Sequence, residues 1–395
     1  MDDKRKRAAS TAESKCLVAE LPHGLITDIL SRLPVKSLFN CKFVCKTWLR
    51  LISDPHFAKI HWARSPTTFL IQDTRSRYKE STDILLVQIV EEVIRKTFEI
   101  ESIRFVPNTN LPDTGVDILN SCNGLVCCWG MSKGIFNDMV YVCNPILGEC
   151  ISIPVVKKVG KRKKCGQYFA LGFSTASNQY KVLHTFYLGR EFVTQCRAEI
   201  YTVGTGQWRR IGNAPFSLDY LNANVFLHDS IHWVDYDPEN YRFICAFDFE
   251  FEKFKRLSLP PDSQIHDGKG RHSVSCVGVL KGCLFMAFDV CSECGEFEIW
   301  VMEEYGVKES WSKKFVVGNV HLNDYVCYEP LFFLSSGEIL MLHEDQCIVR
   351  YDARWKSFQD LTISQGIKSI KVIAYSPSFV SLQDIAQGEE VKVLR

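Results

Sequence analysis

The stretch Ile244–Pro260 reads ICAFDFEFEKFKRLSLP. A run of strand-forming residues reaches Asp248, a short charged turn follows, and Phe254 opens a basic exit strand. Four more stretches share this outline: Val140–Pro154, Glu199–Gly212, Phe297–Phe315 and Cys347–Ile363. Aligned on the bulky residue after the turn, they place Cys150, Trp208, Phe254, Trp311 and Phe358 in one column, spaced 58, 46, 57 and 47 residues apart. A hairpin pattern precedes each of them, at 121–130, 169–186, 224–237, 276–290 and 331–343, bent at Gly, Asn, Asp or Ser. A period near 50 residues made of short strands predicts a β-propeller with four-stranded blades. A sandwich has no reason to repeat at that period, and a TIM barrel would need helices between its strands. Five repeats are visible. Thr67–Val106 either supplies a sixth or closes the ring with Val372–Leu382, so about six blades are expected. Within it, Asp83–Ile103 carries enough Glu and Lys for a helix, but its Ile and Val density reads as strand.

Upstream the period changes. Leu25, Ile26, Ile29, Leu30 and Leu33 recur at helical spacing behind Pro22, which suits a first turn. Pro34 ends that helix. Asn40 is a candidate cap for a third helix, whose stripe is Cys41, Val44, Cys45, Trp48, Leu51 and Ile52. Asp54-Pro55 starts a short fourth helix towards Trp62. About 42 residues in four short helices make a marginal core. Leu21, Pro22, Ile26, Leu33, Pro34, Val35 and Leu38 crowd the helix junctions, and an apolar surplus of this kind marks a protein interface. The expected organisation is therefore a polar tail over 1–19, a helical domain over 20–62, a β-propeller over 63–385 and a tail over 386–395: a small all-α unit followed by an all-β one.

Charge is balanced at 47 Lys+Arg against 46 Asp+Glu, which argues against a globally basic nucleic-acid binder. The balance hides a local excess. Residues 21–62 hold Arg32, Lys36, Lys42, Lys46, Arg50 and Lys59 against Asp28 and Asp54. The 17 cysteines raise a disulfide framework, but MDDKRKRAASTAESK has no apolar signal region. The thiols are therefore expected to be reduced, packing as small hydrophobes in a soluble protein of the cytoplasm, the nucleus or both. No apolar run approaches the roughly 18 residues of a membrane span. Lys4, Arg5, Lys6 and Arg7 form a basic cluster of the nuclear-address type, against the simpler reading of a solvated tail.

The helical block resembles an F-box. It carries Leu21-Pro22, then Ile29-Leu30-Ser31-Arg32-Leu33-Pro34-Val35-Lys36-Ser37-Leu38, Val44-Cys45-Lys46-Thr47-Trp48, and Ile52-Ser53-Asp54-Pro55 with Phe57. His23-Gly24 departs from the acidic residues common there, and Gly24 lowers helix propensity. The remainder resembles the kelch-like F-box-associated interaction domain of plant F-box proteins. The motifs are Ser121-Cys122-Asn123-Gly124-Leu125, Asn144-Pro145 with Gly148, Gly172-Phe173 before Tyr180-Lys181-Val182, Ile231-His232-Trp233, Phe247-Asp248, Gly278-Val279-Leu280, Glu298-Ile299-Trp300-Val301-Met302 and Ser310-Trp311. Singly these are weak, and their order carries the resemblance.

The resemblance implies a non-catalytic substrate-receptor subunit of an SKP–cullin–F-box ubiquitin ligase. Its F-box would dock a SKP-type adaptor, through it the cullin and RING subunits, and its propeller would recruit a protein substrate. The alternative is an adaptor-bound binding module without ubiquitination. The adaptor contacts implied are Leu21, Pro22, Ile26, Ile29, Leu30, Leu33, Pro34, Val35, Leu38, Val44, Cys45 and Trp48, with Trp48 the foremost anchor.

Motifs for other chemistry are thin. Cys291-x-x-Cys294 lacks a second pair at zinc spacing. Asp235, Asp237 and Glu239 lack the glycine and terminal Glu of a calcium loop. His232 sits in a strand pattern and reads as structural. There is no GxGxxG, no P-loop and no Ser nucleophile with an oriented base, so no cofactor and no metal are expected. The run Lys157–Lys164, six cations in eight residues, reads as a solvated inter-strand loop, with an acidic partner, nucleic acid or an importer as the alternative.

Overall fold

The computed structural model describes residues 21–64, 68–74, 84–88, 115–132, 135–156, 158–159, 162–188, 196–214, 225–236, 242–261, 273–291, 296–318, 328–334, 336–361 and 369–393. The chain divides into two compact units between Ser65 and Pro66.

The first unit has four helices: α1 His23–Leu30, α2 Val35–Cys41, α3 Lys46–Ile52 and α4 Pro55–Arg64. Pro22 and Pro34 stand at the N-caps of α1 and α2, so Pro34 begins a helix as well as ending one. Asn40 is not a cap. It lies inside α2, and α3 is capped by Cys45, whose Sγ accepts from the Trp48 N–H at 3.4 Å. The core is thin: Ile26, Leu30, Leu38, Ile52, Phe57 and Ala58 are buried, with His61 stacked on Phe57. Polar ties close α4 onto α1. Arg64 donates to Asp28 Oδ1 at 2.7 Å, and His61 Nε2 lies 3.3 Å from the Leu33 carbonyl.

The second unit is a six-bladed β-propeller. Blade I comprises Gly115–Cys122, Leu125–Ser132, Ile135–Asn144 and Glu149–Pro154; blade II, Arg162–Ser174, Gln179–Leu188, Arg197–Thr202 and Trp208–Asn213. Blade III runs Val225–Leu227, Ser230–Tyr236, Arg242–Asp248 and Lys253–Leu257; blade IV, Ser273–Leu280, Cys283–Cys291, Glu296–Met302 and Trp311–Val317. Blade V runs Tyr328–Phe333, Ile339–His343, Cys347–Asp352 and Ser357–Leu361. Blade VI joins the two ends of the unit: Ile370–Tyr375 pairs antiparallel with Thr68–Asp73, which pairs with Ile84–Gln88. Both roles open to Thr67–Val106 are thus filled at once. Within Asp83–Ile103, residues 84–88 are strand and the rest lies outside the described residues.

The aligned column has a structural meaning. Cys150, Trp208, Phe254, Trp311 and Phe358 each stand at the start of a fourth strand, opposite Cys143, Tyr201, Phe247, Met302 and Tyr351. The backbone turns left-handed five residues after the third-strand partner at Gly148, Gly206, Glu252 and Lys356, and four residues after it at Gly306. The two tryptophans of the column also lock blades together. Trp208 donates its indole N–H to the Pro154 carbonyl of blade I, and Trp311 donates to the Ser258 carbonyl beyond blade III, both at 2.9 Å. Nearer the axis, Asn120 bridges blades I and II: its amide donates to the Leu171 carbonyl and accepts from the Leu171 N–H. The expected tail at 386–395 is not separate, because Val391–Val393 forms a fifth strand on blade I.

Candidate protein-docking site

Among its described residues the helical unit keeps six large apolar side chains exposed: Leu25, Ile29, Phe39, Phe43, Val44 and Leu49. Phe43 is 77% exposed and packs edge-on to Phe39, with ring centroids 5.6 Å apart. A short amphipathic helix hides one stripe only, and four helices of seven to ten residues offer each other little cover.

The sequence-derived set divides three ways. Pro22, Ile29, Pro34, Val44 and Cys45 are exposed, and Leu21, Leu33, Val35 and Trp48 are half-buried. Ile26, Leu30 and Leu38 are not part of the apolar surplus: they are at most 2% exposed and fill the unit's own core. The reason is economy of volume. With so few apolar positions facing inwards, the one at the centre of each of the first two helices must pack there. Leu25, Phe39, Phe43 and Leu49 are exposed too and were absent from the set derived from the sequence. The i, i+4 pairing of Phe39 with Phe43 is the signal that could have found two of them.

Charge frames this surface. Asp28 receives hydrogen bonds from Arg32 and Arg64, which hold its carboxyl below the usual range. Burial pushes the His61 imidazole towards neutrality. Besides Asp28, Asp54 is the other carboxylate among the described residues of the unit, against Arg32, Lys42, Lys46, Arg50 and Arg64.

The propeller gives its titratable groups structural partners. His232 donates from Nδ1 to the Val225 carbonyl and accepts at Nε2 from the Tyr305 hydroxyl at 2.7 Å. Burial lowers its pKa to about 4. His184 is lowered to about 4 by burial, aided by the Lys164 charge and opposed by Glu199. Lys164 is itself buried, 2.7 Å from Glu199, and Lys158–Val159 pairs with Arg162–Lys163 as a short strand. The basic run is therefore not simply a solvated loop: its last lysine closes an internal ion pair. Among the described residues no group of three or more His, Cys, Asp or Glu is placed to hold a metal ion. Cys294, Asp237, Glu239 and the Lys4–Arg7 cluster lie outside the described residues. Burial raises the Cys122, Cys127 and Cys143 thiols, which suits packing rather than nucleophilic attack. No helix among the described residues is long and apolar enough to cross a membrane.

A small helical unit with apolar side chains in water is thus followed along the chain by a six-bladed propeller. Residues 19–60 match the F-box domain family, and residues 75–382 match the family described as F-box associated beta propeller domain. The chain belongs to the F-box proteins that carry this propeller. Among its relatives in Arabidopsis thaliana, the F-box protein At3g07870 is 28% identical over 382 residues, covering 86% of this chain and 87% of its own. The F-box protein At5g49610 is 27% identical over 366 residues, covering 89% and 94%. The F-box/kelch-repeat protein At3g17530 is 28% identical over 310 residues, covering 75% of each.

Proposed function

We propose that this chain is a non-catalytic substrate receptor of an SKP–cullin–F-box ubiquitin ligase. The helical unit docks a SKP-type adaptor, which tethers the cullin and RING subunits, and the propeller holds a protein substrate. The observation carrying this reading is the exposure of Ile29, Pro34, Phe43, Val44 and Cys45, with Trp48 half-buried, on a unit whose own core is thin. Burying such side chains against a partner is worth about 25 cal/mol per Å² of apolar surface, less the cost of association. Ile26, Leu30 and Leu38 support docking from beneath by fixing the helices. Catalysis by the receptor is by proximity: a held substrate meets a charged conjugating enzyme at raised effective concentration. The nuclear or cytoplasmic address follows from that of the ligase.

The test is co-purification of the full chain with a SKP adaptor. The unaltered chain retains the adaptor, and the Leu33→Asp/Pro34→Gly variant loses it while the propeller still melts at its original temperature. Retention by the variant sinks the site assignment. Ubiquitin transfer to a captured partner in the reconstituted ligase separates a receptor from a module that only binds.

A further inference from the structure

Beyond Tyr375 the chain crosses the outer part of blade I. Asn144 Nδ2 donates to the Ser378 and Val380 carbonyls, at 3.0 and 2.7 Å. The buried Glu149 carboxylate accepts from the Ser381 hydroxyl and the Leu382 N–H, where helix α5 Leu382–Ile385 begins. These contacts anchor the segment as far as α5. The next ones differ in kind.

Glu389 Oε1 accepts the backbone N–H groups of Gly204 at 2.7 Å and Gly206 at 2.9 Å. Both glycines have positive φ, 93° and 72°, in the turn between the third and fourth strands of blade II. Amides converging on one point from a left-handed turn make an anion cradle. Two residues on, Val391–Val393 pairs antiparallel with Glu149–Ile151 on the outer edge of blade I. Among the described residues, the fourth strands of blades II to V have no such covering strand. The segment thus presents a carboxylate to the cradle and a strand to the edge. Those are the two elements of recognition by strand addition, where backbone pairing gives affinity and side-chain pockets give specificity. A ladder of three residues is short, and Val393 remains 51% exposed.

We propose that the outer edge of blade I and the Gly204–Gly206 turn of blade II form a peptide-docking site that residues 389–393 fill in cis. Its ligand in trans is an extended acidic segment of a partner protein, with Glu two residues ahead of a β-branched residue, in the pattern Glu-x-Val-x-Val that the chain itself supplies. This surface lies wholly on the propeller unit and stands whether or not the helical unit docks an adaptor.

The experiment uses the full chain and its Val391→Pro variant, which loses the strand N–H at that position. A fluorescent peptide QGEEVKVLR, the sequence of residues 387–395, is titrated and its anisotropy followed. The variant is expected to bind at least tenfold tighter than the unaltered chain, and a peptide with Gln at the position of Glu389 at least tenfold weaker than the parent peptide. Equal affinity for both chains overturns the proposal, as does equal binding of the two peptides or no binding by a variant that keeps its melting transition. Should Val391→Pro fail to fold, Glu389→Gln in the full chain frees the cradle alone. Tighter peptide binding by that variant than by the unaltered chain supports the site, and unchanged binding overturns it.

Discussion

Phe43 and Val44 stand in water on the helical unit, while the propeller buries Trp233, Phe247 and Phe249 almost completely. Both units use similar apolar residues, and the difference lies in geometry. Sheets stacked face to face cover one another, so each blade is a lid for its neighbours. Short helices in a thin bundle have an inside for one stripe and nothing for the next. In the first unit that geometry leaves apolar side chains in water. In the second, the same chemistry is spent on the fold.

The largest expected effects oppose the two units. Val44→Asp should cost adaptor capture at least a hundredfold, the order of one lost hot spot, and leave the melting temperature within about 1 °C. Trp233→Ala should do the reverse, destabilising the propeller by about 3–5 kcal/mol with adaptor capture kept by whatever remains folded. Pull-down beside calorimetry decides both. Loss of capture by the Trp233 variant at a temperature where it is folded would break the division of labour.

Next in size is the bridge between blades. Asn120→Ala leaves the Leu171 N–H and carbonyl buried without their partner, at a cost of about 2–4 kcal/mol. Hydrogen exchange should rise at the inner strands of blades I and II before it rises elsewhere.

The buried imidazoles sharpen the comparison through pH. His184 and His232 have folded pKa values near 4 against about 6.5 unfolded. The unfolded chain therefore binds more protons between those values. Their stabilisation is complete above about pH 6.5 and is lost as pH falls towards 4, by up to about 3 kcal/mol each. Denaturant midpoints at pH 7.5 and 5 should differ accordingly, and the His184→Gln/His232→Gln variant should show a flatter profile. The helical unit contributes in the same direction through His61.

The smallest effect is local. The hairpin of blade I turns on Asn123-Gly124, with φ of 46° and 83°, and that of blade IV on Lys281-Gly282, with 48° and 81°. Asn tolerates this left-handed turn better than Lys. Lys281→Asn should stabilise by about 0.5 kcal/mol, a shift of 1–2 °C in the melting of the propeller.

Much of this was legible from residues. The column Cys150, Trp208, Phe254, Trp311 and Phe358 is visible because four of its five residues are aromatic where a fourth strand leaves its turn. The helix starts at Pro22 and Pro34 are visible because proline is cheap only there. Other features depend on neighbours distant in the chain. Nothing near Cys45 marks a thiol as the cap of α3, whereas Asn40, a stronger acceptor, lies five residues too early, inside α2. Ile26 and Ile29 look alike as apolar residues of one helix, and only the folded unit makes the first core, at 2% exposed, and the second surface, at 51%. Residues 389–393 read as a polar end because their partners, Gly204 and Glu149–Ile151, are some 180 to 240 positions upstream.

Blade VI has a consequence for biosynthesis. Thr68 Oγ1 donates to the Tyr375 carbonyl across 307 residues, and the strand Thr68–Asp73 must wait for Ile370–Tyr375 before it gains its inner neighbour. At about 5–20 residues per second, that wait lasts roughly 15–60 s on the ribosome. Throughout it an edge of Phe69, Leu70 and Ile71 has no inner partner, in a nascent chain whose other blades are forming one by one. The earliest moment at which the ring can close is therefore set by the place of one strand in the chain.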